Sequence, residues 1–308
     1  MKQILYGREI HLKRSLKNTF IVGFALFSML FGAGNVIFPP YLGLSCGKNW
    51  IQGFLYYYMA DIGRALTCLF AIQKNGGQRK ITRHLGKIPA ELLTCVIVLC
   101  IGPMLGIPRT AASTFELSVM PLVSGINPCI FSTVFFLLTA LLCMKENAVV
   151  DIIGKVLTPV LIIGLLILIV KGAVHPIGPA DGAVLVQNIP VTGISAGYQT
   201  MDVLAVTIFG ILISKNVREK GYGDLHQQNK IIFGAGFIAG IGLLIIYLGL
   251  TYLGATAANR FNLSVDRTFL ITSIVKLLLG KAGTLTFALV VAFACMTTAV
   301  ALVGACSE

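Results

Sequence analysis

The sequence predicts an all-α, polytopic membrane protein, and three observations carry that expectation. Apolar residues make up 56% of the chain and charged ones 12%, a balance that no soluble core requires. The apolar residues fall in blocks of about 20, the length that takes a helix across about 30 Å of hydrocarbon. The positive residues alternate between loops. Lys2, Arg8, Lys13, Arg14 and Lys17 precede the first block, and Lys74, Arg79, Lys80, Arg83 and Lys87 follow the second. The first three loops on the opposite side carry far less, as cytoplasmic and outer loops do. The formal charge of +12 therefore reports orientation and gives no reason to expect a nucleic-acid partner.

In chain order, helices are expected at 19–43, 50–73, 88–112, 128–144, 148–171, 193–214, 231–254 and 284–305. These make about eight spans in a single transmembrane domain over 1–308, behind a basic cytoplasmic tail at 1–18. Lys145, Lys155, Lys215, Arg218, Lys220 and Lys230 continue the inside pattern, and an even number of spans returns the C-terminus to the cytoplasmic side of the plasma or inner membrane. Arg260, Arg267, Lys276 and Lys281 break the pattern in the long segment 255–283, where the charge rule is weakest. An apolar stretch near Leu270–Leu279 in that segment is expected to form a short helix on the outer surface. The first block lacks a small-residue cleavage site and reads as an uncleaved helix. The eight cysteines lie mostly inside apolar blocks with no CxxC, as small packing residues do.

The first and sixth blocks differ from the rest. The first reads FALFSMLFGAGNVIFPP, in which Gly32, Gly34 and Pro39-Pro40 interrupt a good helix. The sixth reads GISAGYQTMDVLAVTIFG, with Gly193, Gly197 and the polar run Tyr198, Gln199, Thr200 ahead of Asp202. Unpaired backbone at membrane depth persists only where it is buried in protein or lines a watery cavity. Two interrupted helices five spans apart are the pattern of inverted-repeat transporters, whose half-helix N-termini attract an anionic group and whose freed carbonyls hold a small cation. A plain packing notch is the alternative for either helix alone.

Candidate residues follow. Gly32, Ala33, Gly34 and Asn35 would let a substrate carboxylate approach backbone N–H groups, while Asn35 adds an amide oxygen for a cation or caps the second half-helix. Gly197, Tyr198, Gln199 and Thr200 offer backbone, hydroxyl and amide groups to the substrate. Asp202 is an intramembrane carboxylate that needs a partner, either Arg109 or the substrate ammonium. Asp61 and Arg64, three residues apart on one helix face, are expected to form a structural ion pair. Thr297 and Thr298 either return their hydroxyls to their own helix or offer hard oxygens to sodium. Pro103 and Pro108 are expected to kink the third helix towards the site. No HExxH, no GxSxG and no paired catalytic carboxylates within one span point to an enzyme.

Four stretches, FGAGNVIFPPYLG (Phe31–Gly43), IGPMLGIPRTAASTFE (Ile101–Glu116), GYQTMDVLA (Gly197–Ala205) and ACMTTAVAL (Ala294–Leu302), resemble the branched-chain amino acid:cation symporter family, bacterial carriers of leucine, isoleucine and valine. The resemblance covers essentially the whole chain. It implies a leucine-transporter-type inverted-repeat fold, with the first five-helix repeat at 19–171 and a partial second at 193–305. It also implies a small hydrophobic amino acid as substrate, no cofactor, and a coupling cation, sodium or a proton, with sodium held by Thr297, Thr298 and carbonyls of the first helix. Family members have about twelve spans, so an eight-span chain is expected to be C-terminally truncated with its second repeat incomplete. The competing expectation is a non-transporting remnant or sensor of the same fold.

Overall fold

The computed structural model describes residues 2–123, 125–143 and 158–306. All regular secondary structure among the described residues is helical. In order these are α1 (Lys2–Leu30), α2 (Ala33–Cys46), α3 (Trp50–Tyr58), α4 (Arg64–Lys74), α5 (Gln78–Thr82), α6 (Lys87–Leu99) and α7 (Gly106–Thr114). They continue as α8 (Pro128–Cys143), α9 (Thr158–Val174), α10 (Ile189–Gln199), α11 (Asp202–Glu219), α12 (Leu225–Thr256) and α13 (Arg267–Cys306). Short 3-10 or π turns link several of them.

The outer surface is apolar. Ile88 and Leu92 on α6 are 79% and 64% exposed, and Ile130, Leu137 and Leu141 on α8 are similarly open. A water-facing surface would not carry such a continuous stripe, whereas lipid requires one. Four helices, Lys87–Val119, Ile189–Glu219, Leu225–Thr256 and Arg267–Gly304, are long and apolar enough to cross a bilayer. The pair Ser15–Leu30 and Ala33–Lys74, bent by 69°, passes the same test jointly. The chain is therefore a multi-pass membrane protein. The two shorter apolar helices, α8 and α9, have 16 and 17 residues. The start of the expected helix 148–171, the last residue of 128–144, and Lys145 and Lys155 lie outside the described residues.

Several expected elements move. The segment 1–18, expected as a tail, is helical from Lys2 as the beginning of α1. The interruption of the first span falls at Phe31-Gly32, and Pro39 and Pro40 lie inside α2. The third span kinks at the first of its two prolines: Gly102, just before Pro103, has non-helical angles (φ −79°, ψ −113°), and α7 starts afresh at Gly106 with Pro108 in its first turn and no break there. The helix expected near Leu270–Leu279 is the first part of α13, with Leu270, Ile271, Ile274 and Val275 buried at helical spacing. Gly280, at φ 63°, ends it and starts the last span.

Helix contacts without side chains set the frame. A Cβ on Gly43 of α2 would lie 1.9 Å from the Thr251 carbonyl oxygen of α12, and one on Gly254 would lie 1.8 Å from the Pro40 oxygen. A Cβ on Gly193 or Gly197 of α10 would come within 2.7 Å of the Gly53 oxygen or 2.8 Å of the Tyr57 oxygen, respectively. Membrane helices without a hydrophobic drive between them gain their packing energy from such close backbone approach. Gly43→Ala is expected to lower the stability of the purified protein by about 1–3 kcal/mol, because backbone cannot move aside as a side chain does. Gly223→Ala, which meets nothing within 4 Å, should leave the unfolding midpoint unchanged in the same thermal scan.

Candidate functional site

Two breaks in the backbone build the site. At the first, Gly32 is extended (φ −99°, ψ −174°) and its N–H turns to the Leu30 oxygen at 3.1 Å. The Ser28 carbonyl thereby loses its helical amide, four residues on. Thr298 of α13 faces the exposed end, its Oγ1 3.4 Å from the Ser28 and Met29 carbonyl oxygens and 3.5 Å from that of Phe31. Its own helix supplies the Ala294 oxygen at 3.1 Å. The Ser28 hydroxyl donates to Thr297 Oγ1 at 2.8 Å, and Thr297 donates to the Ala294 oxygen at 2.9 Å. A hydroxyl carries one proton, so Thr298 cannot satisfy four carbonyls. The result is a small, oxygen-rich cluster at the C-terminal, negative end of α1.

The second break follows α10. Asn188 caps that helix by accepting the Val191 N–H at 3.1 Å, and Pro190 sits in its first turn, where its missing N–H costs nothing. Met201 then takes a left-handed conformation (φ 65°, ψ 17°), unique among the described non-glycine residues, and α11 starts at Asp202. The Arg109 guanidinium donates to the Gln199 carbonyl at 2.9 Å, a cation on the negative end of a helix. Arg267 donates to the Gln199 side-chain oxygen at 3.2 Å. Thr200 Oγ1 lies 2.8 Å from Asp61 Oδ1 and 2.7 Å from the Gly197 oxygen. Asn35 donates to Asp202 Oδ2 at 2.8 Å and contacts the Tyr247 hydroxyl, joining the two breaks.

Between the breaks lies a cavity of about 60 Å³. Gly32, Ala33, Gly34 and Asn35 form one wall, Thr200 and Asp202 another, and Thr298 and Arg109 close it. Thr297 is fully buried behind Thr298. Other expected site residues lie elsewhere. Gly197 is spent on the contact with the Tyr57 backbone, and Tyr198 is 60% exposed under the Arg64 guanidinium, 3.5 Å from its ring centroid. The Gln199 side chain belongs to an outer pocket with Phe38 and Arg267. The Asn35 amide turns to Asp202 and Tyr247 and away from the threonines. The expected Asp61–Arg64 pair is corrected: Arg64 bonds the Ala60 carbonyl and stacks on Tyr198, while Asp61 turns inward to Thr200. Arg109 is not in direct ion-pair contact with Asp202; it reaches Gln199 instead.

A family model described as "Branched-chain amino acid transport protein" matches residues 15–308. The chain belongs to this transport family. The branched-chain amino acid permease BraB of Bacillus subtilis is 35% identical over 310 residues, covering 96% of this chain and 69% of the relative. The branched-chain amino acid transport system 2 carrier protein of Pseudomonas aeruginosa is 34% identical, over 93% of this chain and 67% of its own length. The permease BrnQ of Salmonella typhimurium is 34% identical, over 93% and 66%. The chain thus spans about two thirds of the length of these relatives. The family is one of carriers and not of enzymes.

Within this family member, sequence reasoning missed Ser28, Tyr57 and Tyr247, whose hydroxyls sit among apolar neighbours in sequence and carry no motif. It also missed that Asp61 faces Asp202. The available signal was that two carboxylates lie deep in spans that also carry the polar residues, and each needs a partner. Met201 sits where an L-residue pays about 1–2 kcal/mol for the left-handed region. Met201→Val should lose about 1–2 kcal/mol of stability and Met201→Asn measurably less, since a β-branched side chain tolerates that conformation worst. Thermal unfolding of the detergent-purified variants checks the order.

Proposed function

We propose that this family member imports leucine, isoleucine or valine together with a cation, sodium, in a leucine-transporter-type fold of two inverted repeats. The observation that carries the reading is the meeting of Thr298 with three carbonyl oxygens at the broken end of α1. Hard, preorganised oxygens on a half-helix C-terminus suit a small monovalent cation, which would release the threonine from contacts of 3.4–3.5 Å that are too long to be good hydrogen bonds. Ser28 and Thr297 complete the oxygen set.

The substrate's carboxylate would lie at the N-terminus of α2, where Gly32 and Gly34 keep side chains out of the way and the helix end is positive. Arg109 supports that assignment, because its guanidinium stands where a Cβ on Gly34 would be, 2.6 Å from Nη2. The ammonium would turn to Asp202 and the polar end of α10. The apolar side chain would meet Met29, Leu30, Ile101 and Leu302, whose side chains also line the cavity. The relatives named as branched-chain amino acid permeases support this substrate class. Eight spans, a cytoplasmic N-terminus and a place in the cell membrane complete the proposal, supported by the loop charges.

The test is uptake of labelled leucine into proteoliposomes with and without an inward sodium gradient. Gradient-driven uptake is expected. Thr298→Ala should raise the sodium concentration for half-maximal uptake by about tenfold, the equivalent of about 1.4 kcal/mol, while leaving uptake at saturating sodium largely intact. Folded protein that shows no gradient-dependent uptake sinks the symport reading.

A further inference from the structure

Asp61 and Asp202 are both buried, 0% and 6% exposed, and their carboxyl groups are close enough to interact, with Thr200 holding Asp61 Oδ1 at 2.8 Å two residues ahead of Asp202. Asp61 Oδ2 is buried with no donor of its own. The donors nearby are few. Thr200 has one proton for two acceptors, Asp61 Oδ1 and the Gly197 oxygen. Asn35 serves Asp202 and Tyr247. The Tyr57 hydroxyl, fully buried, faces Asp61 and interacts with it, with no other hydrogen-bond partner. Tyr58, also near Asp61, gives its hydroxyl to the Gly240 oxygen at 2.9 Å.

Among the described residues, no cation forms a direct ion pair with either acid. Arg64 bonds the Ala60 oxygen and covers Tyr198, and Arg109 is committed to the Gln199 oxygen, both acting on the carboxylates only from further away. Two ionised carboxylates in contact within a low-dielectric interior repel each other strongly, so one site of this kind holds a single negative charge. A proton between them removes the repulsion and leaves one charge stabilised by Asn35, Thr200 and the Tyr57 hydroxyl. The backbone supports a functional reading: Asp61 lies in the single π turn Met59–Gly63 of its span, and such turns are frequent at functional sites.

We propose that Asp61 and Asp202 form a proton-binding site that shares one proton at neutral pH, beside the transport cavity and distinct from the cation cluster at Thr298. The proton ties the second span to the broken sixth, so its binding and release are linked to how those elements sit against each other. This goes beyond the sodium symport reading and stands or falls separately from it.

Infrared spectra of the purified full chain in lipid nanodiscs, with aspartate carboxyl groups carbon-13 labelled, test the site without a transport assay. At about neutral pH, far above the ordinary aspartate range near 3.9, the protein should show the C=O band of one protonated aspartate. Asp61→Asn and Asp202→Asn should each remove it, because the asparagine amide then donates to the remaining carboxylate. Asp181→Asn, in an exposed position bonded to Asn259, should leave it unchanged. Absence of the band in the unaltered protein overturns the proposal even if a variant fails to fold. So does a band that survives either single substitution or follows Asp181. Loss of sodium-driven uptake with the band intact would sink the symport reading alone.

Discussion

Backbone N–H and C=O groups freed inside a bilayer must find partners within the protein, and that constraint organises everything around the two breaks in this chain. At Gly32 the turn of the main chain leaves the last carbonyls of α1 without helical amides. The threonines of α13 come to them. At Thr200-Met201 the last carbonyls of α10 are left over, and Arg109 from α7 reaches in to cover Gln199. Each break thus recruits a side chain from a distant span. The cavity is what remains between those recruits.

Close helix contacts make the recruitment possible. Gly43 and Gly254 let α2 touch α12 backbone to backbone, which fixes the second half of the first broken span. Gly193 and Gly197 do the same for α10 against α3 and the π turn, and thereby deliver Thr200 to Asp61. Gly197 was expected to touch substrate, yet its contribution is one step removed: it sets the distance at which the polar end of α10 stands. A small residue in a membrane helix reads the same in sequence whether it admits a ligand or a neighbouring helix.

Much of the architecture was legible because bilayer thickness acts on sequence directly. Apolar block length gave the span from 50 to 73 nearly to the residue, matching α3 to α4, and the span from 231 to 254 as the core of α12, which starts six residues earlier at Leu225. The two breaks were visible as glycine and polar residues inside apolar runs, and of the interruptions expected in the first span it is Gly32 that breaks the helix while Pro39 and Pro40 are accommodated in α2. Gly32–Asn35, Thr200, Asp202 and Thr298, picked out from separate stretches of sequence, line one cavity. Pairwise side-chain choices were not legible. Asp61 and Arg64 share a helix face by spacing, but the π turn and the approach of α10 give Asp61 to Thr200 and Asp202 instead. Such choices depend on which neighbour arrives, and no local pattern records that.

The central claim is that the break at Gly32 and the threonines of α13 meet at the edge of a ligand site. A Cβ at Gly32 would stand 4.0 Å from the Thr298 Cβ, within the range of about 3.5–4.5 Å that a disulfide spans. The direct measurement is oxidative cross-linking of Gly32→Cys paired with Thr298→Cys in a background whose eight native cysteines are replaced. Rapid disulfide formation is expected, slowed by leucine and sodium together. No cross-link, or one that forms at the same rate with both ligands present, would contradict it.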